Sequence, residues 1–137
     1  MESFDAIVIG GGPAGSTAGH LLARAGRRVA VLERERFPRF HIGESLLPFN
    51  MDLLAELGVL DELERVPCVE KRGVTFANGD GSYRQTITFE NMLDPGPART
   101  FQVVRARFDQ ILLEACRRSG ADVREEHAAA GAEREGG

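Results

Sequence analysis

The chain is short of cysteine and of positive charge and has no long apolar run, and each shortage excludes a class of protein. Of its 137 residues two are cysteines, Cys68 and Cys116, which form neither a CxxC pair nor a disulfide framework. Its 17 Lys and Arg are outnumbered by 21 Asp and Glu, which leaves no basic face for a nucleic acid. No stretch approaches the roughly 18 apolar residues of a membrane span. Since the N-terminus also lacks the pattern of a signal peptide, we expect a cytoplasmic protein with no nucleic-acid or membrane partner.

The first 33 residues have the pattern of a strand, a helix and a second strand. Residues 4–10, FDAIVIG, form a short apolar run typical of a strand buried on both faces. Apolar residues then recur at helical spacing over residues 14–25, and Gly26 ends the helix. Residues 27–33, RRVAVLE, form the second strand. The short connections predict a parallel βαβ unit and therefore an α/β fold.

Later segments predict further elements of both kinds. Ser45 is a candidate N-cap for a helix beginning near Leu46, and Asp109 is expected in the first turn of a later helix, where it suits the macrodipole. The other predictions are a helical turn or two in LDELERV, an antiparallel hairpin of 73–77 and 82–89, a loop over 91–98, a strand in TFQVVR, a helix over RARFDQILLEACRRSG and another strand of the parallel sheet in ADVREEH.

The loop between the first strand and helix, residues 10–15, matches the pattern GxGxxG. In such a loop Gly10 allows the tight turn, Gly12 lets the backbone approach a pyrophosphate, and Gly15 lets the helix pack closely on the strand. Glu33 ends the second strand, at the position where an acidic residue accepts a hydrogen bond from a ribose hydroxyl. These features predict dinucleotide binding. The alternative is a tight βα turn with an incidental glutamate.

Three segments resemble one group of flavoenzymes. VIGGGPAGSTAGHLLARAGRRVAVLERE is similar to the N-terminal fingerprint of FAD-dependent monooxygenases and reductases, and FPRFHIGESLLP resembles a loop of the flavin-dependent halogenases. VVRARFDQILLEAC resembles a segment in which an arginine precedes a helix near the flavin. The resemblance runs from about Asp5 to His127 and implies FAD as cofactor. The further residues that it adds to the cofactor site are Pro13, Ala14, Arg34 and Arg105.

The loop FPRFHIGESLLP leaves the sheet just past the predicted adenosine site. We expect Arg39 to supply charge to the phosphates and Gly43 to allow the backbone close to a planar ring. Glu44 and Ser45 then present hydrogen-bonding groups to the cofactor at a helix N-terminus. The alternative is that Ser45 is only a cap, Glu44 is solvated and Arg39 pairs with Glu35. His41 has no partner at metal-ligand spacing, so we expect packing or solvent exposure for it and no metal site.

Lys71 stands in the segment EKRGVTF, which is similar to the halogenase segment that holds the active-site lysine. In that family reduced flavin, oxygen and halide generate hypohalous acid, which the lysine directs to an electron-rich aromatic carbon. The resemblance thus implies a catalytic Lys71, an aromatic substrate that some members hold on a carrier protein, and a separate flavin reductase. The alternative is a solvated lysine beside a hairpin.

We interpret residues 1–127 as the N-terminal portion of an incomplete, Rossmann-like FAD-binding domain, in which a parallel sheet with helices carries an inserted antiparallel hairpin. Residues 128–137 are expected to form a disordered tail. Halogenases are longer and carry a WxWxIP motif whose position falls beyond this chain, so the lack of tryptophan does not discriminate. We do not expect this length alone to complete the reaction. An aromatic hydroxylase, an isoprenoid double-bond reductase and a non-catalytic nucleotide-binding remnant remain alternatives.

Overall fold

A computed structural model of the chain describes residues 2–91 and 97–134, which form two compact units. The first unit consists of the residues up to 41 and from 105 onward, and the second consists of residues 42–104. Parts of the predicted loop and tail, residues 92–96 and 135–137, lie outside the described residues. In the described part of the chain no helix has the length and apolar character needed to cross a bilayer.

The elements alternate between helix and strand near both ends of the chain, with a strand-rich segment between. In chain order they are β1 (Ala6–Ile9), α1 (Pro13–Arg24), β2 (Val29–Leu32), α2 (Phe49–Glu56), α3 (Leu60–Glu64), β3 (Cys68–Lys71), β4 (Gly73–Ala77), β5 (Arg84–Thr88), a 3-10 turn (Phe89–Asn91), β6 (Thr100–Val103), α4 (Arg105–Arg118) and β7 (Asp122–Arg124).

The first unit contains a parallel sheet of order β1-β2-β7. The predicted α/β class, the opening βαβ unit and the parallel strand within ADVREEH are therefore confirmed. The expectation that β1 is buried on both faces is wrong, because Ile7 is 60% and Ile9 67% exposed. Side chains alternate across a strand, so Val8 packs on the core while its two neighbours point to the face that no described element covers.

The core of the first unit joins β2 to α1 and α4. Val29, Val31 and Cys116 are at most 2% exposed and form its centre. A Cβ atom at Gly19 would lie 2.8 Å from both Cys116 Sγ and Val31 Cγ2, so α1 approaches its neighbours as closely as the missing side chain allows. Burial raises the pKa of the Cys116 thiol to about 11. This cysteine therefore packs as an inert apolar group.

His20 makes the stability of this unit depend on pH. It is 7% exposed, and its Nδ1 donates a hydrogen bond to the carbonyl of Ala115 at 3.1 Å. Burial lowers the pKa of His20 below 6.5 despite that hydrogen bond. In the pH window just below 6.5 the unfolded chain therefore binds a proton that the folded chain does not.

Urea unfolding should show full stability above pH 6.5 and a loss of the free energy of unfolding as the pH falls. His20→Gln should flatten this dependence on pH. An unchanged dependence on pH in the variant would contradict the role of His20.

The second unit has an antiparallel pair, β3 with β6, and a hairpin, β4 with β5. The hairpin confirms the predicted pairing of 73–77 with 82–89. β3 was not predicted as a strand. The segment of residues 44–46 adds to the other edge of β6: Val103 N–H donates to the carbonyl of Glu44 at 2.8 Å and Leu46 N–H to the carbonyl of Phe101 at 3.0 Å.

The start of α2 differs from the prediction. The helix begins at Phe49 with Pro48 at the N-cap position, and no side chain caps it. Ser45 therefore does not cap a helix that begins near Leu46. The reason is tertiary: Ser45 is bridged to Gln102 of β6, so the backbone here is extended and cannot enter a helix.

Candidate functional site

The glycine loop joins β1 to α1 in the conformation that its sequence predicts. Gly10 has φ of +100°, a value that side chains rarely tolerate. A Cβ atom at Gly15 would lie 1.9 Å from the carbonyl oxygen of Gly10, so the helix begins directly against the end of the strand. Pro13 occupies the first turn, where a missing N–H costs nothing. Helix geometry leaves the N–H groups of Ala14 and Gly15 without an intrahelical partner, and such groups suit an anion.

Glu33 is tied to the glycine loop. It is 4% exposed, and its Oε2 accepts a 2.7 Å hydrogen bond from the N–H of Gly11. Its Oε1 accepts a second, at 2.9 Å, from the N–H of Glu35. Each carboxylate oxygen keeps one lone pair after these bonds. The glutamate thus fixes the loop and still has acceptor capacity for a hydroxyl.

A cleft of about 460 Å³ in the first unit brings five of the predicted cofactor residues together: Gly10, Gly12, Glu33, Arg34 and Arg39. The remaining lining residues were not predicted from the sequence; they are Ile9, Leu32, Glu35, His41, His127, Ala128 and Ala129. Several of these follow β7, whose parallel pairing with β2 places its carboxyl end near the glycine loop. Ligands bind at the carboxyl ends of parallel strands, so that pairing was the signal that could have found them.

Arg39 gives this cleft a positive charge. Its side chain is 12% exposed, and its Nε lies 3.4 Å from Glu35 while its Nη1 lies 3.5 Å from Asp109. Among the described residues, neither Nε nor Nη1 has a hydrogen-bond partner. Its Nη2 is 3.5 Å from the point where a Cβ atom of Gly12 would stand. A buried guanidinium whose Nη2 lies beside a helix N-terminus fits a diphosphate.

Asp109 connects Arg39 to Arg105. Arg105 donates from Nε to Oδ1 at 2.7 Å and from Nη2 to Oδ2 at 3.0 Å, which makes a bidentate pair with a fully buried carboxylate. Arg105 is the first residue of α4, so Asp109 lies in the second turn and not in the first, as had been expected. The macrodipole effect fades beyond the first turn. The Asp109 carboxylate therefore interacts mainly with the two arginines, Arg39 and Arg105.

The remaining predicted residues, Gly43, Glu44, Ser45 and Lys71, belong to the second unit. Gly43 has φ of +94°, and Glu44 accepts a hydrogen bond from Gln102 Nε2 at 3.2 Å. The Nζ of Lys71 donates to Ser45 Oγ at 2.5 Å and to the carbonyl of Leu46 at 3.0 Å. Two segments that separately resemble halogenase motifs therefore meet at one amine.

The composition of the chain carries a further signal about this amine, one that no motif contains. Lys71 is the only lysine in the chain, whereas sixteen positions are arginine. A lysine differs from an arginine in presenting a compact ammonium on a flexible stem. The one lysine of the chain thus lies where its amine is held by two acceptors.

Comparison with known sequences assigns the chain to a protein family. The family described as the FAD binding domain matches residues 3–137, and the chain belongs to that family. FAD is therefore the dinucleotide of this domain, and the predicted Rossmann-like FAD-binding fold is confirmed.

Relatives named as flavin-dependent halogenases confirm the predicted resemblance. A 1H-pyrrole-2-carbonyl-[peptidyl-carrier protein] chlorinase of Pseudomonas fluorescens is 37% identical over 89% of this chain and 31% of its own length. Among solved structures, the myxobacterial chondrochloren halogenase CndH is 48% identical with a TM-score of 0.85, over 93% of this chain and 30% of that one. A flavoprotein/dehydrogenase from Cytophaga hutchinsonii is 39% identical with a TM-score of 0.83, over 91% and 30%. The chain thus spans about a third of the length of these relatives.

Proposed function

We propose that the chain is the FAD-binding N-terminal part of a halogenase that chlorinates an electron-rich aromatic substrate. The observation that carries the proposal is the amine of Lys71, held by Ser45 and Leu46 next to Gly43 and Glu44. Holding a lysine side chain against two acceptors costs side-chain entropy. The arrangement therefore favours a functional role over a solvated surface position. The halogenase names of several relatives support the same conclusion.

The first unit would hold the adenosine and diphosphate of FAD. The backbone N–H groups of Ala14 and Gly15, which follow Pro13 at the start of α1, would bind the phosphates together with Gly12 and the guanidinium of Arg39. Glu33 would accept a hydrogen bond from the ribose, with Arg34 beside it in the same cleft. Arg105 would act from its pair with Asp109. We further propose that Gly43 and Glu44 contribute toward the flavin part of the cofactor, whereas the hydroxyl of Ser45 is engaged by the amine of Lys71.

The proposed reaction needs one amine donor. When bound, fully reduced FAD would supply two electrons and two protons, with which O2, halide and one further proton become hypohalous acid and water. Lys71 would donate a hydrogen bond to the hypohalous acid and hold its halogen toward the aromatic carbon. The carbon–halogen bond forms as the oxygen–halogen bond breaks, and the ring proton leaves with the hydroxide as water. A compact, rotatable ammonium suits this task better than a planar guanidinium.

The partners of the proposed enzyme follow from this chemistry. We propose a flavin reductase as the source of reduced FAD and a small aromatic substrate. Carriage of the substrate on a peptidyl-carrier protein is supported by the names of two relatives, a chlorinase and a brominase of carrier-bound pyrrole. A cytoplasmic location fits the two free cysteines.

Replacing Lys71 by alanine should abolish chlorination while leaving oxidation of reduced flavin unchanged. The measurement uses the longest polypeptide that the natural gene encodes around this chain, supplied with reduced FAD, oxygen and chloride. We expect product to fall by at least about a hundredfold, since an essential group is lost. Lys71→Arg should fail as well, because the guanidinium cannot reproduce the ammonium geometry.

The matched control is Arg84→Ala, which removes an exposed cation from the neighbouring hairpin and should leave chlorination intact. Chlorination that survives in Lys71→Ala would overturn the catalytic role of Lys71, whereas a wild-type protein that turns over without halide, to a hydroxylated or reduced product unaffected by Lys71→Ala, would favour a hydroxylase or a reductase of the same fold. A wild-type protein that takes up no FAD, seen as the absence of flavin absorbance, would favour a non-catalytic remnant.

A further inference from the structure

We infer that Ser45 is a positioning residue for the amine of Lys71, an inference that rests on the proposed halogenase function. Ser45 was expected to bind the cofactor or to cap a helix. The structure instead gives its Oγ a 2.5 Å hydrogen bond from Lys71 Nζ, across 26 residues of sequence. With the carbonyl of Leu46 at 3.0 Å, two of the three ammonium donors are satisfied. Within residues 2–91 and 97–134 no third acceptor contacts the ammonium, so one N–H donor can face a ligand.

The sheet explains why these two side chains meet. Gln102 of β6 is paired with Val69 of β3 on one edge and with Ser45 on the other. Lys71 is paired with Thr100, two residues before Gln102. Paired residues, and residues two apart on a strand, share one face of a sheet. Lys71 and Ser45 therefore lie on the same face, and the lysine stem crosses β6 diagonally to reach the serine.

Both acceptors are fixed by the backbone. The carbonyl of Glu44 and the N–H of Leu46, on either side of Ser45, are bonded to β6 at 2.8 and 3.0 Å. The hydroxyl of Ser45 thus stands on a short, paired segment, so its position does not depend on a flexible loop. A free lysine side chain samples many rotamers, and two fixed acceptors restrict it to a few. Ser45 would thereby direct the third donor without touching the substrate.

The contact is tested on the 137-residue chain itself by NMR. Because the chain has one lysine, selective 15N labelling of lysine gives a single ammonium signal. At mildly acidic pH, where these protons exchange slowly, the order parameter of that group should fall about twofold in Ser45→Ala. Ser45→Thr keeps the hydroxyl and should preserve the order. The control Ser82→Ala makes the same change in an exposed turn of the same unit and should have no effect. An unchanged order parameter in Ser45→Ala would overturn the inference.

The functional consequence is tested in the polypeptide used for Lys71. Ser45→Ala should lower the chlorinated product formed per reduced flavin oxidised by about tenfold, and Ser45→Thr should restore it. Flavin oxidation and FAD affinity should not change, which separates positioning from cofactor binding. Reduced FAD affinity in Ser45→Ala, with normal lysine order, would return Ser45 to a cofactor-binding role. Failure of the wild-type protein to chlorinate would overturn the proposed function, whereas the NMR result would still decide the contact.

Discussion

Gly15→Ala is expected to lower the affinity of the chain for FAD by at least about a hundredfold. The added Cβ atom would lie 1.9 Å from the carbonyl oxygen of Gly10 and 3.2 Å from Val8 Cγ1. Since the nearest obstacle is backbone, no side chain can move aside, and the start of α1 must shift away from β1. The N–H groups that we propose bind the phosphates shift with it. Titration of the protein with FAD, followed by calorimetry, measures the loss.

The control is Gly79→Ala, at a turn of the β4–β5 hairpin. A Cβ atom there meets nothing within 4 Å. We expect its FAD affinity to equal that of the wild type. If Gly15→Ala binds FAD as tightly as this control, the close approach of α1 to β1 does not position the phosphate-binding groups, and the proposed site is wrong.

Asp109→Ala is expected to destabilise the protein by about 3–5 kcal/mol, because it leaves buried cations without their counter-charge. Asp109 is fully buried and is bonded to Arg105 at 2.7 and 3.0 Å, and Arg39 lies 3.5 Å away. Both arginine side chains are 12% exposed. Urea unfolding monitored by circular dichroism gives the change in the free energy of unfolding. FAD affinity should fall as well, since Arg39 loses a group that holds it beside Gly12.

Glu114→Ala is the matched control on the same helix. It breaks the ion pair of Glu114 with Arg117, whose side chains are 44% and 37% exposed. Exposed pairs contribute about 0–1 kcal/mol, so this variant should unfold nearly as the wild type does. Equal, small effects of the two substitutions would show that the Asp109 carboxylate is not essential to the fold.

Local patterns predicted those parts of the fold that are set by neighbouring residues. The βαβ unit, the hairpin and α4 each follow from a periodicity or a turn signal that lies within one short segment. β3 was missed because CVEK is short and half polar, and its strand conformation depends on pairing with β6, about 30 residues later in the chain. Ser45 was assigned to a helix start for the same reason: its bridge to Gln102 has no local signature.

The part of the cofactor cleft that the opening βαβ unit forms could be predicted from the sequence, because its residues belong to one contiguous motif. Gly10, Gly12 and Glu33 have fixed spacings because one βαβ turn brings them together. Arg39 was expected to act either on the phosphates or with Glu35, and the structure places it beside both Glu35 and the glycine loop. Its contact with Asp109 joins residues far apart in sequence, and the helical pattern gave no reason to expect a buried carboxylate there. Burial of a charge is decided by tertiary packing.

The double anchoring of Glu33 has a consequence for the kinetics of ligand capture. Its two backbone hydrogen bonds, from Gly11 and Glu35, organise the proposed ribose acceptor during folding and not on encounter with the coenzyme. A preorganised acceptor loses little further conformational freedom when a ligand arrives. A ribose that carries an extra phosphate would meet a negatively charged carboxylate that cannot turn away from it. Discrimination between coenzymes at this position should therefore appear mainly as faster dissociation of the phosphorylated one.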